Sequence, residues 1–258
     1  MNSKQASNPR VAVVTGGAMG IGAEVSGRLA QNGLTVLVAD INEVAARAMA
    51  NQLCDKGWAA DPLPMDVGRP ESIAAAFSAV EKEYGRCDVL VNCAGIAKVF
   101  PFLEFPLENF AATMNVNVTG TFLCSQHAAR LMVKNRWGRI VNIASVAGMR
   151  AVGTGRTAYG TSKGAVISLT RQMAVELAEF GITANAVAPG PVDTPMTQAL
   201  HTAKFREDYS RAIPMNRYGT TSEIASAILY LVSQEAAYVS GIVMPVDGGF
   251  LASGARGI

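Results

Sequence analysis

Seven short apolar runs, each separated from the next by a stretch of helical character, restrict this chain more than any other feature. Val11-Ala12-Val13-Val14 is apolar at every position, as expected of a strand covered on both faces. Comparable runs occupy 35–39, 59–66, 89–91, 139–143, 183–188 and 242–246. Between them the patterning predicts helices ending near Asn32-Gly33, from Asn42 to Lys56, and over 71–84, 118–134, 158–180 and 221–232. Pro62 and Pro64 remove two ladder donors from the third run, which therefore belongs at a sheet edge. Strand–helix–strand units of this length imply right-handed crossovers and an α/β doubly wound parallel sheet, flanked by helices on both faces. Ligands on such sheets sit beyond the carboxyl ends of the strands, at the switch point.

No linker or repeat interrupts the pattern, and 258 residues suit one α/β domain. The expected organisation is a flexible segment over 1–10 and a single dinucleotide-binding catalytic domain over 11–258. A loop rich in Pro and Gly follows the sixth run, and the mixed stretch from Pro195 to Arg217 is expected to act as a mobile substrate lid. A formal charge of +2, with Lys and Arg scattered, leaves no footprint for nucleic acid or a membrane surface. The polar N-terminus is no signal peptide, and the longest uncharged run, 109–129, holds too many polar residues to span a bilayer. Cys54, Cys87, Cys93 and Cys124 form no Cys-x-x-Cys pair and read as reduced, mostly buried hydrophobes. His127 and His201 cannot supply a familiar zinc cluster, so no metal is expected. The setting is read as cytoplasmic.

The turn after the first strand contains Gly16, Gly20 and Gly22. Glycines there permit a tight turn and let a pyrophosphate approach the helix N-terminus, where free N–H groups and the dipole favour negative charge. Alone, the spacing reads equally well as a sharp turn with no ligand. Asp40 ends the second strand 18 residues after Gly22, where a carboxylate can accept hydrogen bonds from an adenosine ribose. It would repel a 2′-phosphate, and Met19 brings no compensating cation, so NAD is favoured over NADP. The competing reading is an ordinary helix-capping Asp.

Tyr159 and Lys163 lie four apart, and on a helix they share one face. An ammonium beside a phenol favours the phenolate. The pair alone also reads as a half-buried Tyr with a snorkelling Lys. Ser145 stands fourteen residues upstream.

Taken together, the motifs resemble the short-chain dehydrogenase/reductase family in its compact single-domain branch. The resemblance runs from about Val11 to Phe250. It rests on Thr15-Gly-Gly-Ala-Met-Gly-Ile-Gly22, Asp66-Val67, Asn92-Cys-Ala-Gly95, Val116-Asn117-Val-Thr-Gly120, Ser145, Tyr159-Gly-Thr-Ser-Lys163, Pro189-Gly190 through Thr194, and Val246-Asp-Gly-Gly249. It implies a Rossmann-like fold and a catalytic tetrad of Asn117, Ser145, Tyr159 and Lys163. Tyr159 would be the acid/base, Ser145 would orient the substrate oxygen, and Asn117 would hold a water linking Lys163 to solvent. The implied cofactor set is Gly16, Met19, Gly20, Ile21, Gly22, Asp40, Ile41, Asp66, Val67, Asn92, Gly95, Pro189, Gly190, Val192 and Thr194, together with Tyr159 and Lys163. Asp66 and Val67 would contact the adenine, and Val192 and Thr194 the carboxamide. Cys93 departs from the second Asn of many relatives, at a mainly structural position. Relatives are usually homotetramers built on the two long helices and the last strand.

The function expected is interconversion of a secondary alcohol and a ketone with NAD(H). Arg150 and Arg156, charges in an otherwise apolar loop, suit carboxylate or polyhydroxyl recognition and point to a polyol, sugar or sugar acid. Met196 is a third candidate substrate contact. Equally, the arginines could face solvent or a subunit. Phe100, Phe102, Phe205, Met196 and Met215 could instead make an apolar pocket for a steroid or cyclic alcohol, with Tyr209 closing over it. A 3-oxoacyl-carrier-protein reductase shares the tetrad, but such relatives usually favour NADP. A dinucleotide-sensing binding protein is the non-catalytic alternative. No Gly-x-Ser-x-Gly elbow supports a serine hydrolase, and neither histidine is given a role beside Ser145.

Overall fold

A computed structural model describes residues 9–253. The flexible segment expected at the N-terminus lies almost wholly outside the described residues. Strand β1 (Val11–Thr15) leads through the glycine turn into α1 (Gly20–Gln31), then β2 (Thr35–Asp40), α2 (Glu43–Cys54), β3 (Ala60–Pro64), α3 (Pro70–Tyr84) and β4 (Val89–Asn92). The second half runs α4 (Leu107–Met114), α5 (Thr121–Asn135), β5 (Gly138–Ile143), α6 (Thr157–Glu176) and β6 (Ile182–Pro189). It ends with α7 (Pro195–Leu200), α8 (Ala203–Ala212), α9 (Thr221–Val232) and β7 (Val243–Val246). All seven strands pair in parallel, in the order β3-β2-β1-β4-β5-β6-β7. β3, with its two prolines, is at the edge as expected.

The all-apolar strands follow from this layering. Side chains alternate across a strand, so Ala12 and Val14 pack with α1, α2 and α9 while Val11 and Val13 pack with α3, α5 and α6. Both layers are dry, and Val13, Val14, Val36, Val38 and Leu90 are fully buried. Local chemistry sets the helix ends. Asn42 Oδ1 accepts from Ala45 N–H at 3.0 Å to cap α2, Pro70 opens α3 and a left-handed Gly85 ends it. Thr220 and Glu223 form a reciprocal capping box on α9.

Two stretches differ from the sequence expectation. The helix expected from Val118 begins at Leu107 as α4, widens into a π-helical turn over Asn115–Gly120, and continues as α5. The π turn interrupts the α-helical period, so the sequence pattern marks a helix start only at Val118, inside the turn. The Pro195 to Arg217 stretch, given no regular elements from the sequence, is largely helical. It folds as α7 and α8, each capped by a threonine, Thr194 and Thr202.

The two strands that meet at the switch point, β1 and β4, are also tied at their N-terminal ends. Asp88, 1 % exposed, accepts from Val11 N–H at 2.8 Å and takes a bidentate pair from Arg86 at 2.7 Å on each oxygen. Asp88→Ala leaves a buried N–H and half of an ion pair without an acceptor. It is expected to destabilise the fold by about 2 kcal/mol, seen as a Tm several degrees lower with dinucleotide affinity unchanged. An unaltered Tm would show that this tie contributes nothing.

Candidate active site

The carboxyl ends of β1 and β4 part company at the switch point, and a cleft of about 370 Å³ opens there. Its lining includes Gly16, Met19, Gly20, Ile21, Asp40, Ile41, Asp66, Val67, Gly95, Tyr159, Lys163, Thr194 and Met196. Thirteen of the residues named from the sequence thus share one surface, although they span 180 positions of chain. Gly16 adopts φ +62°, and a Cβ there would come within 3.0 Å of Ala94 Cα. Gly22 is needed for a different reason. It lies under the turn, where a Cβ would meet the Gly16 carbonyl oxygen at 2.0 Å, so it shapes the cleft without lining it.

The cleft has the features that a nicotinamide dinucleotide requires. Helix α1 starts at Met19 with no side-chain cap and no acidic residue in its first turn, so its leading N–H groups face the cleft unpaired by side chains. Asp40 is held at the far end, its Oδ2 accepting from Ala18 N–H at 3.3 Å and its Oδ1 from Asn42 N–H at 3.0 Å. Among the described lining residues Lys163 has the only cationic side chain, and Met19 at the mouth is 56 % exposed.

At the other end, α6 presents Tyr159 and Lys163 on one face, with Lys163 Nζ 5.7 Å from the tyrosine ring centroid. Lys163 donates to the Ile143 carbonyl at 2.6 Å and is 5 % exposed. Burial pulls its ammonium down to about 8. Burial also raises the Tyr159 phenol, against smaller lowering effects from the Ser145 hydroxyl and the Arg156 charge. The phenolate is expected to be favoured by Lys163 together with the positive ring of an oxidised nicotinamide. In the protein chain alone, desolvation outweighs every favourable charge. Ser145 Oγ accepts from Ala147 N–H at 3.1 Å, which fixes the serine at the end of β5.

Asn117 sits in the π turn with its side chain engaged. Its Oδ1 accepts from Ile96 N–H at 2.8 Å, and its Nδ2 donates to Ile96 O and Ser162 Oγ, both at 3.0 Å. It is a strut between the loop after β4 and α6, adjacent to Gly95, whose Cβ would lie 3.1 Å from Asn117 Oδ1 and 3.6 Å from Lys163 Nζ.

Several expected contacts fall elsewhere. Asn92 turns into the sheet, donating to Ser125 Oγ at 3.1 Å and Asn142 Oδ1 at 2.8 Å, because side chains alternate and this one faces α5. Pro189 and Val192 are buried and do not line the cleft, while Gly190 lines a second cavity beside Ser145 and Tyr159. Arg150 is exposed and lies over the Phe250 ring, 4.8 Å from its centroid. It stays outside the pocket because the ring holds its guanidinium. Phe100 packs edge-on against Phe105, Phe102 is 75 % exposed, and Met215 borders a different hollow.

A second cavity of about 80 Å³ adjoins Ser145 and Tyr159. Arg156, Met196, Phe205, Tyr209 and His201 line it. His201 was passed over in the sequence because an isolated histidine carries no motif. It sits at the joint of α7 and α8, which folds it back over α6.

Known proteins resemble this chain over most of its length. A family profile described as Enoyl-(Acyl carrier protein) reductase matches residues 16–251. The 3-oxoacyl-acyl-carrier-protein reductase FabG of Aquifex aeolicus is 39% identical over 241 residues, 93% of this chain and 96% of that protein. The chain belongs to the short-chain dehydrogenase/reductase family. It is an oxidoreductase of a family that acts on CH–OH groups with a nicotinamide cofactor. An uncharacterized oxidoreductase of Bacillus subtilis, YxjF, is 38% identical over 254 residues, covering 94% of this chain and 98% of that protein. Among solved structures, a gluconate 5-dehydrogenase from Burkholderia cenocepacia in complex with NADP and tartrate superposes with TM-score 0.91 at 34% identity, covering 95% of this chain and 96% of that one. No helix among the described residues is long and apolar enough to cross a membrane.

An ammonium near a phenol favours the phenolate, and Lys163 Nζ lies 5.7 Å from the Tyr159 ring centroid. Lys163→Met is therefore expected to lower turnover at neutral pH by at least about 100-fold and to move the rising limb of alcohol oxidation to higher pH. A limb that stays in place would separate Lys163 from the titration of Tyr159.

Proposed function

We propose that the protein is an NAD(H)-dependent oxidoreductase interconverting a small, polar secondary alcohol, a polyol, sugar or sugar acid, with its ketone. The observation that carries this reading is the small cavity that joins Ser145 and Tyr159 to the Arg156 guanidinium. A cavity of about 80 Å³ is well below the roughly 300 Å³ and more of pockets for drug-sized ligands, which argues against a steroid. A guanidinium at its wall suits carboxylate or hydroxyl oxygens.

The bound cofactor would accept or return the hydride and add the positive charge that an oxidised nicotinamide carries. The protein's part is to position and to move a proton. Tyr159 exchanges a proton with the substrate oxygen, Ser145 orients that oxygen, and Lys163 favours the phenolate by its charge. Asn117 keeps the loop after β4 against α6 and, in this reading, holds a water that links Lys163 to solvent. Asp40 meets the adenosine ribose and disfavours a 2′-phosphate, with no cation nearby to compensate. Helices α7 and α8 form the lid over the substrate.

The 3-oxoacyl thioester reading is favoured by one observation, the likeness to FabG proteins across nearly the whole chain. We assign the enzyme to the cytoplasm and to a homotetramer. The apolar groove between α5 and α6, with Phe122 42 % exposed, supports the tetramer. Sedimentation of a monomer would remove that part.

One assay tests the core of the proposal. Polyols, sugar acids and cyclic alcohols are oxidised with NAD or NADP, and acetoacetyl thioester is reduced with the reduced cofactors. The expected result is turnover of a polar alcohol with NAD, lost by at least about 100-fold in Tyr159→Phe with dinucleotide affinity retained. Asp40→Ala is expected to weaken NAD and narrow its advantage over NADP. Efficient thioester reduction with NADPH and none of the alcohols oxidised would replace this reading with the reductase one.

A further inference from the structure

A polar chain joins the lid to the wall of the cavity beside Tyr159. Arg156 Nη2 lies 2.9 Å from His201 Nε2, and His201 Nδ1 lies 3.0 Å from Tyr218 Oη. Arg156 immediately precedes α6, three residues before Tyr159. His201 is the last residue before the helix pair turns from α7 to α8, and Tyr218 is a buried residue of the loop that follows α8. Three separate segments are therefore joined at the wall of one cavity.

The chemistry of this chain is directional. A guanidinium has five N–H donors and no acceptor, so His201 Nε2 must carry a lone pair. Its proton is then on Nδ1, which donates to the Tyr218 hydroxyl. A doubly protonated ring would set two cations 2.9 Å apart. Burial first, then the charges of Arg156 and Arg206, lower the imidazole to about 4, so the neutral ring is the form present near pH 7. Arg206 is engaged through Nη2, while its Nη1 is buried without a hydrogen-bond partner. It pairs with Asp193 and lies 4.3 Å over the Tyr218 ring, while Phe205 packs on His201 at 4.6 Å between centroids. The imidazole is thus fixed from behind by Tyr218 and from the side by Phe205.

We infer that His201 is a positioning residue for the carboxylate of the substrate: its neutral Nε2 holds one arm of the Arg156 guanidinium, turning the remaining N–H donors into the cavity beside Tyr159. This deepens the polar-alcohol reading and rests on it, narrowing the substrate class to small hydroxy acids. One half of a planar fork is committed to the protein and the other is presented to an anion, which lowers the rotamer entropy lost on binding. Because His201 belongs to the lid, a displaced lid removes the support of Arg156. Recognition of the anion and seating of α7 and α8 are then one event.

Two measurements test this on the intact protein. The first needs no substrate. The chain has two histidines, His127 and His201, so 15N-histidine labelling with a His127→Gln control assigns both rings. The expected spectrum at pH 7 has His201 protonated on Nδ1 with Nε2 bare; an Nε2–H ring or an imidazolium overturns the inference. The second uses gluconate as anionic probe and glucitol as its uncharged counterpart, with calorimetric binding to the NADH-loaded protein. His201→Leu is expected to weaken gluconate at least tenfold and glucitol less than threefold. His201→Gln, whose carbonyl can accept from Arg156, is expected to stay within about threefold of wild type for both. Equal losses for the two probes, or no rescue by Gln, would reduce His201 to a packing residue. If Arg156→Gln weakens gluconate but His201→Leu does not, positioning fails while carboxylate recognition stands. If the wild-type protein does not bind gluconate, or Arg156→Gln leaves its binding unchanged, the carboxylate reading fails, and the inference with it.

Discussion

The contact between the ends of β1 and β4 is the one on which the rest of the structure depends. Thr15 Oγ1 accepts from Ala94 N–H at 3.1 Å, and Gly16 approaches Ala94 so closely that a Cβ would sit 3.0 Å from its Cα. Strand order reverses at this pair, with β2 and β3 to one side and β5, β6 and β7 to the other. The loops above it must diverge, and backbone polar groups at the strand ends face the gap instead of each other. The dinucleotide cleft is the consequence, with Asp40 delivered by β2 and Gly95 by β4. Any side chain at position 16 would close the gap from below, in addition to straining a positive φ.

Burial is the second organising force, and it acts against the chemistry it enables. Tyr159 and Lys163 are placed against the sheet end, where desolvation raises one and lowers the other. Both shifts favour the neutral forms. The ammonium is retained by the Ile143 carbonyl, and the phenol is left poised for a further positive charge from an oxidised cofactor. Low dielectric makes that charge count for more than it would in water. The same logic applies to Arg156 and His201, where a neutral imidazole tolerates a guanidinium only as an acceptor.

Much of this could be read in the chain itself. The apolar runs gave both the strand count and the coverage of both faces, since no other environment hides Val13 and Val14 together. Pro62 and Pro64 put β3 at the edge, and Asn42 capped its helix as its side chain suggests. Other features had no local signal. The turn over Asn115–Gly120 changes helical pitch, which leaves no hydrophobic period to detect. Asn92 and Gly95 belong to one motif, yet Asn92 is the last residue of β4 with its side chain turned toward α5 while Gly95 lies in the loop beyond and lines the cleft; the motif does not state which residue ends the strand. Arg150 and Arg156 are six positions apart in one loop. A ring, Phe250, captures the first, while an imidazole from another segment holds the second.

The sequence alone therefore determined what depends on order and local chemistry: the parallel sheet, the glycine turn, the acidic end of β2, and the Tyr–Lys pair on one helical face. Each follows from neighbours within one or two turns of chain. Tertiary structure decided what depends on packing between distant segments. It set the size of the cavity beside Ser145 and Tyr159, turned Asn92 away from the cleft, and brought His201 against Arg156, 45 residues away in sequence. It also raised the Tyr159 phenol through burial in the chain alone. Burial is a property of everything packed around a group, and no spacing between two residues encodes it.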